Sequence, residues 1–231
     1  MIASAQNEKL KLVRKLGERK HREREGLFVT EGEDLVRAGL AAGAPPELLL
    51  EAPGTGIGGE EVEPELLARL SSLGSGTRAI GVWRQAWSDP GGAPSLYLHG
   101  VRDPGNVGTV IRTAHALIGG TVVLGPDCAD AYSPKAVRAS MGSIFAQALA
   151  RGGVEETPAP RCALVAHGGD WPGGLEDTAT LCLGGEREGL PPEVLEQCGE
   201  RVTIPLRSEA GAESLNVAAA AAIALGRIAS G

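Results

Sequence analysis

No run of apolar residues in this chain approaches the ~20 that a membrane-spanning helix requires. The N-terminus is polar and charged and has no apolar h-region, so a cytoplasmic rather than a secreted protein is expected. The four cysteines (Cys128, Cys162, Cys182 and Cys198) show no CxxC or CxxH spacing, which leaves reduced thiols as the expectation and no metal site. Aromatics are scarce at 3%, whereas glycine (34) and proline (15) are frequent. There is no GxxxxGK[ST], so a P-loop is excluded. There is no GxSxG either, so Ala166-His167-Gly168-Gly169, which resembles a lipase oxyanion loop, lacks its partner.

What is there is a chain of 231 residues, enough for one large or two small domains. Its formal charge of −7 speaks against a nucleic-acid partner, but the charge is uneven. Between Glu8 and Glu25 stand Lys9, Lys11, Arg14, Lys15, Arg19, Lys20, Arg22 and Arg24 against four glutamates. Such a local excess suits phosphate contacts; the competing reading is a solvated, charge-mixed helix face over a stripe of Leu10, Val13 and Leu16.

Patterning predicts strands at Leu27–Thr30, Leu48–Leu50 and Ala79–Trp83, with helices at Gly32–Ala42 and Pro64–Leu70. The breaker-rich segment Ser88–Pro94 marks a domain boundary, dividing the chain into 1–88 and 95–231. Beyond it, expected strands at Leu96–Leu98, Thr121–Leu124, Cys162–Ala166, Thr180–Leu183 and Val202–Pro205 alternate with helical patterns. That alternation favours an α/β domain with a parallel sheet covered on both faces.

Gly54–Gly59 fits GxGxxG between a strand and a helix-like stretch. Glu60, Glu61 and Glu63 stand where a dinucleotide's pyrophosphate would sit, so a glycine loop is the better reading. Asp103–Thr113 behaves differently. Pro104-Gly105 makes a turn, Asn106 takes the N-cap position, and Val107, Val110, Ile111, Ala114 and Leu117 form a helical stripe with Arg112 off it. A second helix starts at Ser133-Pro134, with Val137, Ser140 and Met141 on its inner face before Gly142. Leu181–Glu186 is a buried strand entering a glycine turn that holds Glu186 at the strand's carboxyl end. A polar loop after Pro205 leads to Ser214-Leu215-Asn216 and an alanine-rich helix, Val217–Leu225.

In this order DPGNVGTVIRTA, YSPKAVRASMGSIF, LGGEREGL and IPL…ESLNVAAAAAIAL resemble the signatures of the SpoU (TrmH-like) family of SPOUT RNA ribose methyltransferases, from Leu96 to the C-terminus. More loosely, RKHREREGLFVTEGEDLVRAGL is similar to that family's N-terminal RNA-binding domain, itself like a small ribosomal protein. The resemblance implies a trefoil-knotted α/β domain that works as a homodimer and binds S-adenosylmethionine. It implies cofactor contacts at Gly184, Ile204 and Leu215, completed by Leu124, Gly185, Leu206 and Asn216. It implies an active site of Asn106, Arg112, Glu186, Ser214 and Asn216, partly donated across the dimer. Gly185 and Arg187 depart from the residues relatives often carry there, which bears on loop shape.

The reaction implied is attack by a ribose 2′-hydroxyl on an activated methyl group. It needs in-line orientation and the loss of one proton. A guanidinium does not ordinarily deprotonate, so the expected role of Arg112 is a fork on the ribose-phosphate. Ribosomal RNA is the favoured substrate by family analogy. The alternatives are transfer RNA, a base rather than a ribose target, and a non-catalytic RNA-binding member of the same fold.

Overall fold

The structure, a computed structural model, describes residues 1–71, 76–173, 175–207 and 214–230. They form two compact units: Met1–Gln85 with Asp130–Ala146, and Ala86–Ala129 with Gln147–Gly231.

In the first unit, helices α1 (Glu8–Lys15) and α2 (Arg19–Glu25) precede β1 (Leu27–Glu31), α3 (Glu33–Ala41), β2 (Pro46–Glu51), β3 (Glu60–Glu61), α4 (Pro64–Leu70) and β4 (Ala79–Arg84). The sheet order is β1-β4-β2-β3, antiparallel except for the short β2–β3 pair. Leu10, Val13 and Leu16 are buried with Leu50, Leu67 and Ile80, so the expected stripe packs into the core. The charged face above it is largely satisfied within the chain: Lys11 pairs with Glu8, Arg19 with Glu23, Lys20 with Glu18 and Arg24 with Glu25. Arg22 is not on that face at all. Its guanidinium is buried, 2.8 Å from Asp130, and it donates to the carbonyls of Leu16 and Gly17 at 2.8 Å.

Asp130–Ala146 completes this unit with a short helix, Pro134–Ala139, capped by Ser133 as expected. Both phenylalanines meet here: Phe28 lies 4.8 Å from Tyr132 and 5.7 Å from Phe145, and Trp83 meets Phe145 edge-on at 4.9 Å. A Cβ at Gly39 would strike both the Trp83 and Phe145 rings at 2.7 Å, so only glycine lets α3 come this close. Met141 is not on the inner face. It is 58% exposed with φ of 48°, because the helix has ended at Ala139 and the chain turns left-handed through Met141 and Gly142. The glycine loop after β2 also has a structural role. The buried Glu51 carboxylate accepts the Ile57 N–H at 2.6 Å, and Glu60 and Glu61 pair with β2, an arrangement that repels phosphate.

The second unit carries the parallel sheet: β5 (Ser95–His99), α5 (Pro104–Leu117), β6 (Val122–Leu124), then, after α6 (the helix Pro134–Ala139 above), β7 (Leu149–Arg151), β8 (Arg161–Leu164), β9 (Thr180–Gly184), α7 (Pro192–Leu195), β10 (Glu200–Val202) and α8 (Val217–Ser230). The order is β10-β8-β9-β5-β6-β7, with every pair parallel. Leu96–Leu98 and Leu181–Leu183 are fully buried, as the central strands of a two-faced parallel sheet must be. The order reverses between β5 and β9, so their carboxyl ends open a crevice there, with His99 level with Gly184. Helix α8 returns from the edge strand to pack on α5 and β9. The expected last strand is shifted: β10 ends at Val202, and residues 203–207 are irregular. Most of the polar loop expected before Ser214 lies outside the described residues.

Candidate active site

The turn after β9 is held by the Gly189 N–H donating to the Gly185 carbonyl at 2.9 Å. A Cβ at Gly184 would overlap the backbone of Gly189 and Leu190, and one at Gly185 would overlap the Gly100 carbonyl. Two side-chain-free positions therefore let three backbone segments converge at the carboxyl ends of β5 and β9.

Beside this turn lies a cavity of about 480 Å³. Of the expected cofactor residues, Gly184, Gly185, Ile204, Leu206 and Leu215 line it, and so do Glu186 and Ser214. Leu124 and Asn216 do not: Leu124 is buried in β6, between β5 and β7, and Asn216 stands outside the lining at the head of α8. The sequence reading did not place Leu164–His167, Leu190, Val217 or Ala220 at this cavity, yet they line it. Leu164 ends β8 and Val165–His167 follow it directly, so the rule that α/β sheets bind ligands at strand carboxyl ends was the available signal.

Three polar side chains from three elements form an array at the rim. Asn216 donates its amide to Asn106 Oδ1 at 3.1 Å, and the Asn106 amide in turn donates to the Glu186 carboxylate. Each is fixed by local structure. Asn216 Oδ1 caps α8, accepting from Ala218 and Ala219 N–H at 3.0 and 3.3 Å. At the start of α5 the cap is Asp103, not Asn106. The Asp103 carboxylate accepts from Gly105 and Asn106 N–H at 2.6 and 3.2 Å, with Pro104 in the first turn. Relieved of capping, the Asn106 side chain is available to bridge Asn216 and Glu186.

Arg112 stands apart from this array within one chain. It is exposed on α5, six residues past Asn106, which is about 9 Å along the axis and on a different face. No described residue pairs with it. In β5, burial pushes the pKa of the Tyr97 hydroxyl up to about 12, so it stays protonated, 3.2 Å from His99 Nδ1.

This chain's fold is that of the SPOUT methyltransferases, as comparison with solved structures shows. An AdoMet-bound rRNA methyltransferase from Sinorhizobium meliloti superposes with a TM-score of 0.86 at 29% identity, covering 98% of this chain and 96% of that one. The SpoU methyltransferase AviRb from Streptomyces viridochromogenes, in complex with AdoMet, gives 0.83 at 26% identity, covering 97% of this chain and 98% of that one. Residues 94–226 match the SpoU rRNA Methylase family and residues 7–84 the MRM3-like substrate binding domain. The chain belongs to the SpoU rRNA methylase family. Among its relatives, the 23S rRNA (guanosine(2553)-2'-O)-methyltransferase RlmP of Bacillus subtilis is 31% identical over 96% of each chain.

Proposed function

We propose that the protein transfers a methyl group from S-adenosylmethionine to a ribose 2′-hydroxyl of large-subunit ribosomal RNA. The observation that carries this reading is the Asn216–Asn106–Glu186 array at the rim of the glycine-walled cavity. The cavity fits the cofactor: its volume is in the range of small-molecule sites, and Leu164, Leu183, Ile204 and Leu206 offer apolar walls for a purine. Glycines at 184 and 185 leave backbone, rather than side chains, to meet it.

When bound, S-adenosylmethionine supplies a methyl group activated by its sulfonium. The chain's own residues then orient the ribose and let one proton leave. Asn106, held between Asn216 and Glu186, sets the position of the ribose with Ser214 beside it. Arg112 grips the ribose-phosphate with its guanidinium fork, and the proton passes to a phosphate oxygen or solvent.

The distance of Arg112 from the array within one chain supports a homodimer in which Arg112 serves the partner's cavity. Exposed Leu117 on α5 and Ile223 on α8, with Ala219 and Ala222 also exposed, offer an apolar surface for that contact. In this reading residues 1–88 dock RNA, residues 95–231 form a trefoil-knotted catalytic domain, and the protein works in the cytoplasm. Arg112→Ala is expected to abolish methylation of transcribed ribosomal RNA while cofactor affinity by calorimetry is kept. Retained turnover refutes the assignment. Mixing Arg112→Ala with a cofactor-site variant should restore activity only if the sites are shared across a dimer. Nucleoside analysis of the product separates ribose from base methylation.

A further inference from the structure

The turn at 185–189 has a second face, and the methyl-transfer reading does not use it. There it walls another cavity, of about 380 Å³, whose far side is His99 at the end of β5, Gly100, Arg102 and Asp103 beyond it, and Asp127 after β6. Because a Cβ at Gly185 would overlap the Gly100 carbonyl, the partition between the two cavities is one backbone thick. Glu186 borders both, so a nucleotide whose base entered the second cavity would carry its ribose to the array.

The lining has a definite chemistry. The Arg102 guanidinium is drawn between Glu188 at 3.4 Å and Asp127 at 3.7 Å. His99 Nδ1 pairs with the buried Tyr97 hydroxyl at 3.2 Å. Carboxylates outnumber cations around the cavity, which disfavours a phosphate. Carboxylates take adjacent N–H donors, and a guanidinium takes a carbonyl oxygen beside a ring nitrogen. Guanine presents both sets on one planar base. Uracil has a single N–H between two carbonyls, and adenine has no carbonyl.

We propose that this second cavity receives the base of the target nucleotide and selects guanine, through Arg102 and the carboxylates of Glu188 and Asp127. The proposal rests on the methyl-transfer reading, and the two fail separately. Full-length ¹⁵N-labelled protein loaded with S-adenosylhomocysteine would be titrated with the 5′-monophosphates of guanosine, adenosine, cytidine and uridine. Guanosine monophosphate should shift the amides of Gly100, Arg102, Gly185 and Gly189 at concentrations roughly fivefold below the other three. Arg102→Ala and Glu188→Gln should each weaken it roughly tenfold, about the worth of one charge-assisted contact; Arg102 lines only the second cavity, so Arg102→Ala should leave affinity for S-adenosylhomocysteine unchanged. In methylation assays Arg102→Ala should raise KM for RNA and leave kcat nearly unchanged, which a general loss of structure would not do. Equal responses to all four nucleotides, or shifts that miss these amides while RNA methylation persists, overturn the guanine subsite alone. Failure to bind S-adenosylhomocysteine overturns both readings.

Discussion

Asn216, at the head of the last helix, donates its side-chain amide to Asn106 on α5 across 3.1 Å, although 110 residues separate them. The contact consumes the Asn106 oxygen and so aims its amide hydrogens at Glu186. Orientation, which asparagine by itself leaves free, is thereby set by two neighbours.

Asn106→Asp tests that orientation. The change replaces a donor with a negative oxygen facing Glu186, and like charges at hydrogen-bond distance repel. Turnover should fall about a hundredfold, while cofactor affinity stays within about a factor of two, because the array borders the cavity rather than filling it. Methyl incorporation from labelled cofactor, set beside calorimetry, reads both. Equal losses in the two would refute the division of labour.

Gly184→Ala should do the reverse. Its Cβ has no room against Gly189 and Leu190, so the 185–189 turn must move and the cavity wall with it. Cofactor affinity should drop at least about tenfold. Far-ultraviolet circular dichroism should be nearly unchanged, since Gly184 is only the last residue of β9. Wild-type affinity in a folded variant would show that the close approach is not needed.

Removing Arg22 should unfold the first unit more readily than removing any surface cation of α1 or α2. Arg22→Ala strands a buried Asp130 carboxylate, at a cost of about 3–5 kcal/mol by urea denaturation. Arg22→Met combined with Asp130→Leu removes both charges and should recover most of that loss. If Arg22→Ala costs no more than Lys20→Ala, the pair is dispensable.

The thiols give a pH signature. Burial pushes Cys128 and Cys162 up from 9.0 to about 11, so folding favours their protonated forms. Their stabilisation is complete below about pH 9 and is lost as pH rises towards about 11. The urea midpoint should therefore decline on the alkaline side. Cys198 moves the other way, chiefly because the Cys182 thiol donates to it, and it is half-buried. Iodoacetamide at neutral pH should label Cys198 before the others. Peptide mass analysis showing Cys162 or Cys182 modified first would contradict this.

Much of the sheet was readable from apolar runs. Leu96–Leu98 and Thr180–Leu183 lie within the strands found, because a strand buried on both faces is written as continuous apolar sequence. Pro64–Leu70 was bounded by its own proline and stripe. What escaped lacked such a signature. β3 is two exposed glutamates and β7 only three residues, held by backbone pairing that no side-chain pattern records. Asn106 and Asp103 are equally able to cap a helix; only the place of Pro104 in the first turn distinguishes them. The site residues of the resemblance could be named in sequence, but the Asn216–Asn106–Glu186 connection could not. It depends on α8 returning from β10 to pack on α5.

The first unit is assembled from two stretches of chain, and the second of them, Asp130–Ala146, is flanked on both sides by residues of the sheet unit. A gene cut once between Gln85 and Ala86 therefore divides neither unit from the other. The upstream piece loses Asp130, Tyr132 and Phe145, the partners of Arg22 and Phe28. The downstream piece carries those aromatic rings with nothing to cover them. The two units are consequently inherited as a single indivisible block. A replacement substrate-binding region can be grafted only if residues 130–146 are exchanged along with it.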